Sequence, residues 1–108
     1  MKIIALEKKV TAVKDEDFTP LLKQKEAAKV WKLYQEGTIR ELYFRQDWPG
    51  AVLVLECADS TDAERVLGEL PLVEAGLIAF DLIPLIPYPG FSRLFGEEVE
   101  LTLKEILC

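Results

Sequence analysis

The chain has 108 residues, enough for one hydrophobic core and too few for two, so a single domain is expected. Half of the residues are apolar, 30% are charged and 9% are aromatic, a composition that folds instead of staying disordered. The net charge of −6 repels phosphate backbones and anionic lipid surfaces. The absence of histidine removes Ser-His-Asp and Cys-His triads, the usual haem ligand and the commonest metal ligand. Nucleic acid, membrane, metal and cofactor are therefore not expected.

Lys2 to Val10 is aliphatic and strand-length, and lysines and Glu7 interrupt it too early for a signal peptide or a spanning segment. Thr19-Pro20 then opens a helix, with a capping hydroxyl followed by a residue that has no N–H to leave unpaired. Leu22, Glu26, Val30 and Leu33 recur at helical spacing and Gly37 follows as a left-handed cap, which predicts a helix over about 19–36. Thr38 to Arg45 and Ala51 to Ala58 read as two strands joined through the turn residues Asp47-Trp48-Pro49-Gly50. Asp59 or Ser60 caps a second helix carrying Ala63, Val66, Leu67 and Leu70, and a short link ending at Gly76 leads to a fourth strand, Leu77 to Ile83. This βαββαβ order predicts an α+β, ferredoxin-like domain with a four-stranded antiparallel sheet. From about residue 85 to 108 a proline- and aromatic-rich arm follows, in which Val99 to Leu107 reads as either strand or helix. Cys57 and Cys108 have no framework spacing and are read as free thiols of a cytoplasmic protein.

Alternation separates the strand faces. Ala51, Leu53, Leu55 and Cys57 share one face of the third strand and Val52 and Val54 the other; in the fourth, Ile78, Phe80 and Leu82 oppose Leu77, Ala79 and Ile83. Two helices cover one face of such a sheet, and several hundred Å² of wet apolar surface on the other would forgo on the order of 10 kcal/mol. A second copy of the chain is the expected cover, with the arm folding over its own sheet as the alternative. A homodimer, or an assembly of dimers, built through the sheet face and the arm is thus expected.

Glu36-Gly37-Thr38, then Arg40 and Leu42, and Leu70-Pro71-Leu72 after the second helix stand in a register that resembles the muconolactone isomerase family of the dimeric α+β barrel superfamily. The resemblance runs from about Leu22 to Pro89 and includes Lys23, Glu26, Leu33 and Tyr88-Pro89. It implies two sheets packed face to face and, for an enzyme, cofactor-independent proton transfer on a small lactone between sheet and helices. Ala27 and Glu41 stand where the family pattern has a lysine and a histidine. The resemblance includes an acid at the place of Glu26, on the apolar stripe of the first helix, where a carboxylate withdrawn from water can serve as acid or base. The fork of Arg40 could bind a ligand carboxylate, and Glu26 and Arg40 are expected to form one catalytic centre. Strict alternation places Tyr43 on the face opposite Arg40. Tyr43, Asp81 and Trp31 are candidate ligand contacts, with hairpin packing, an ion pair to a lysine of the first strand, and core packing as their structural alternatives. Non-catalytic binding modules and cofactor-free monooxygenase-like barrels are the competing functional readings.

Overall fold

The computed structural model describes residues 1–95, so the Val99 to Leu107 stretch lies outside the described residues. Four strands, β1 (Lys2–Lys9), β2 (Ile39–Phe44), β3 (Ala51–Glu56) and β4 (Ile78–Pro84), form one antiparallel sheet in the order β2-β3-β1-β4. Helices α1 (Pro20–Gln35), α2 (Ser60–Gly68) and α3 (Pro71–Glu74) belong to the same ferredoxin-like α+β arrangement.

Local chemistry sets the element ends. The Thr19 hydroxyl accepts the Leu22 N–H, with Pro20 at the first helical position. α1 closes with Gly37 at φ +83, where Gly37 N–H reaches the Tyr34 carbonyl and Thr38 N–H the Leu33 carbonyl. The carboxylate of Asp59, rather than Ser60, caps α2 by accepting the Asp62 N–H at 2.8 Å. Between α2 and β4 the expected plain link is the short helix α3: Pro71 starts it, and Gly76 at φ +75 ends it with the same pair of hydrogen bonds seen at Gly37.

Ile3 and Ala5 of β1, Leu53 and Leu55 of β3, and Ile39 of β2 are buried against Leu33 of α1, Ala63, Val66 and Leu67 of α2, and Leu70. Cys57 is a buried free thiol of this core. The opposite face presents Ile4 and Leu6 between Val52 and Val54 on one side and Ile83 on the other, and no described element covers it.

β2 departs from strict alternation. Ile39 pairs with Leu55 and Glu41 with Val54, so Arg40 is an extra residue and Arg40 and Glu41 together oppose one partner. This β-bulge corrects the expected faces: Tyr43, paired with Val52, projects to the open face on the same side as Glu41, while Leu42 and Phe44 turn toward the helices. After β4 the chain runs out through Leu85–Pro89 into a short 3₁₀ turn, Gly90–Leu94.

Candidate functional site

The helix-facing side of the sheet carries a carboxylate among apolar neighbours. Glu7 continues the row Ile3-Ala5 on β1 and stands opposite Phe80 of β4. Its Oε1 accepts the N–H of Ala51 at 3.1 Å. Above it, Glu26 lies on the buried stripe of α1 with Leu22, Val30 and Leu33, and its Oε1 accepts the N–H of Leu72 at 3.1 Å. Leu72 is in the first turn of α3, where backbone donors have no partner within the helix. Glu26 therefore ties α3 to α1.

Both carboxyls are half-buried and both hold their protons more tightly than an ordinary glutamate. For Glu7 the main cause is loss of water, opposed by the Ala51 hydrogen bond. For Glu26 loss of water again comes first, opposed by the Leu72 hydrogen bond, and the negative charge of Glu7 adds to the rise. No lysine or arginine among the described residues stands within 4.0 Å of either. A carboxyl whose hold on its proton is strengthened in this way can serve as proton donor and acceptor better than an ordinary exposed glutamate.

A groove of about 500 Å³ opens beside the pair, between α2, α3 and β4. Leu67, Val73, Phe80 and Leu82 supply its apolar lining, with Ser60, Glu64 and Asp81 as polar groups. That volume suits a small organic molecule. Two lining residues adjoin the carboxyl pair: Phe80 is the cross-strand partner of Glu7, and Val73 follows Leu72. Neither carboxylate lines the groove itself. A second hollow, of about 570 Å³, lies over Arg45, Gln46 and Asp47 and is walled by the hairpin turn alone.

The expected partnership of Glu26 with Arg40 is not what the structure brings together. Arg40 is exposed in the bulge, and its charge is felt by Glu56 on the open face. Because Ile39 before it is buried on the helix-facing side, Arg40 points to the open face, and Glu7 is the charged neighbour of Glu26 instead. Tyr43 is exposed on the open face and donates to Glu41 Oε1 at 2.7 Å, which holds the phenol proton on. Asp81 is exposed and ion-paired to Lys8 at 3.1 Å, though it reaches the groove rim. Trp31, a candidate ligand contact with core packing as its alternative, is in neither place: it does not line the groove, is 59% exposed and stacks on Tyr34 with centroids 5.9 Å apart. It sits about 160° around α1 from Leu33, far from the buried stripe. Glu7 was not singled out from sequence, although its place two residues after Ala5, on the face of Ile3, marks it.

No family model matches the sequence, and no curated protein matches it. Solved structures do. A crystal structure of muconolactone isomerase superposes with a TM-score of 0.68 at 21% identity, covering 82% of this chain and 92% of that one. The 5-chloro-2-hydroxyhydroquinone dehydrochlorinase TftG of Burkholderia phenoliruptrix AC1100, in complex with 2,5-dihydroxybenzoquinone, superposes with a TM-score of 0.57 at 15% identity, covering 80% and 94%. The chain thus has a muconolactone isomerase-like, ferredoxin-like α+β fold, shared with an isomerase and a dehydrochlorinase that act on small molecules.

Proposed function

We propose that the chain is a cofactor-independent, cytoplasmic catalyst of proton transfer on a small unsaturated lactone or hydroxylated quinone, with Glu26 as the proton carrier. The observation that carries this reading is the pairing of Glu26 with Glu7, two half-buried carboxyls without a cation, beside an apolar groove of ligand size. Glu7 is the positioning group that keeps Glu26 protonated more of the time. Arg40 lies outside this centre. The names of the two structural neighbours supply the ligand classes.

The working unit in this reading is a homodimer joined through the open sheet face, where Ile4, Leu6, Val52, Val54 and Ile83 form an apolar surface with Lys2, Glu41 and Glu56 around it. Sedimentation velocity should give a dimer at micromolar concentration, and Val54→Lys should give a folded monomer.

Proton transfer is tested by following solvent deuterium into acidic C–H positions of small lactones and hydroxyquinones by NMR. Wild type should catalyse exchange, Glu26→Gln should lose on the order of 10²-fold or more, and Arg40→Ala should keep it. Exchange that survives in a folded Glu26→Gln protein overturns the assignment. A second reading, a binding module without chemistry, draws on the fact that neither carboxylate lines the groove. It predicts ligand-induced shifts at Phe80 and Val73 with no exchange in wild type.

A further inference from the structure

The groove beside the carboxyl pair has a charge of its own. Along α2, Ser60, Glu64 and Gly68 recur at a spacing of four and form one ridge, which borders the groove. Gly68 leaves that ridge open, since nothing stands within 4 Å of where its Cβ would be. Facing it are apolar side chains, Val73 of α3 with Phe80 and Leu82 of β4. A ring laid on those side chains has Glu64 as its charged neighbour.

Nearby cations are engaged elsewhere. Among the described residues, no lysine or arginine lines the groove or stands within 4.0 Å of Glu64. Arg65, the next residue, turns to Asp62 and Glu69, and Lys29 also reaches Glu69. Lys8 is held by Asp81 at the groove rim. Arg40, the fork expected for a ligand carboxylate, points to the open face, and Arg45 is clamped by Asp47 in the hairpin turn. The N-terminus of α2 is no better a seat for an anion. Asp59 accepts the Asp62 N–H and Asp62 accepts the Ala58 N–H, so two carboxylates already answer that end of the helix.

We propose that this groove takes uncharged ring ligands that carry a hydroxyl and rejects their carboxylate counterparts, with Glu64 as the residue that sets the choice. An O–H donates to the Glu64 carboxylate in a charge-assisted hydrogen bond. A ligand carboxylate in the same place brings two like charges together beside apolar walls, where water screens them less than in bulk. The net charge of −6 adds a weaker repulsion at longer range. This rests on the groove being the ligand site proposed above and narrows it to lactones and quinones without an ionised group.

The test follows two probes by ¹H–¹⁵N NMR of the full chain: a five-membered unsaturated lactone carrying a hydroxymethyl group, and the same ring carrying a carboxylate in its place. At low salt the hydroxymethyl lactone should shift the Phe80 and Val73 amides with a Kd about fivefold or more below that of the carboxylate. Glu64 is exposed and bonds no other described group, so Glu64→Gln should stay folded, and in it the gap should fall to about twofold or less. Glu36→Gln, an equal change of charge at the end of α1 that leads into β2, should keep the gap. Salt at about 0.5 M should narrow it in wild type. Equal affinities in wild type overturn the selectivity and leave the groove a ligand site, as does a gap that survives salt or Glu64→Gln, or that Glu36→Gln removes equally. Shifts from neither probe overturn the groove and its selectivity together. Exchange catalysis by Glu26 is a separate readout, so its loss leaves a selectivity measured by binding untouched.

Discussion

Replacing Gly37 by alanine tests how α1 is joined to β2. The residue sits at φ +83, and a Cβ there would meet its nearest atoms, Arg40 Cζ and Nε, at 3.8 and 3.9 Å, ordinary contact distances. No clash contributes, so the cost is the left-handed backbone alone, about 1–2 kcal/mol for a residue with a Cβ. At roughly 4–8 °C per kcal/mol for a domain of this size, Gly37→Ala should melt about 5–15 °C below wild type. Gly37→Asn should fall between the two, since asparagine tolerates this conformation better. Gly68→Ala is the opposite control: it ends α2 with helical backbone and nothing within 4 Å of its Cβ, so it should gain about 0.5–1 kcal/mol. Urea and thermal unfolding followed by circular dichroism, at one fixed protein concentration so that association does not enter the comparison, read all three. A neutral Gly37→Ala with an undisturbed α1 would refute the reasoning, because it would mean that the paired bonds from Gly37 and Thr38 do not require the positive φ.

Glu26→Gln retains an acceptor for the Leu72 N–H and removes the half-buried charge, so it should unfold at higher urea than wild type at pH 7. The sign follows from the raised folded-state value: the native chain binds the extra proton, wild-type stability falls as pH rises from the ordinary 4.5 upward, and the advantage of Glu26→Gln should vanish below about pH 4. Glu7→Gln should behave in the same sense and should also lower the pH at which Glu26 titrates by NMR. Leu55→Ala removes a fully buried side chain between Ile3 and Ile39 and should cost about 3 kcal/mol in urea unfolding. Asp59→Ala, which orphans the Asp62 N–H, should cost about 1 kcal/mol by the same assay.

The element order was legible because each boundary carries its own chemistry: Thr19-Pro20 opens α1, Gly37 closes it, and the run Asp47 to Gly50 separates two β-branched segments. The apolar open face was legible from Val52 and Val54 for the same local reason. What alternation could not reveal was the bulge, since Arg40 and Glu41 are unremarkable strand residues and the extra position exists only relative to β3. The displacement of Arg40 and Tyr43 onto one side comes from that single insertion. Glu7 shows the converse: its face was readable, but its electrostatic influence on Glu26 acts between β1 and α1, which no local pattern encodes. α3 hid because four residues are too few to show a period.

The bulge makes β2 tolerant of shortening at one place only. Deleting Arg40 would let Ile39 keep Leu55 and Glu41 keep Val54, so every later side chain would retain its face and the strand would merely straighten. Deleting Leu42 instead could close the bulge only by turning Glu41 into the helix layer, and deleting Tyr43 would in addition turn Leu42 onto the open face. A protein-wide deletion scan scored for folding should therefore find tolerance inside an otherwise intolerant strand only at the two bulge codons, those of Arg40 and Glu41.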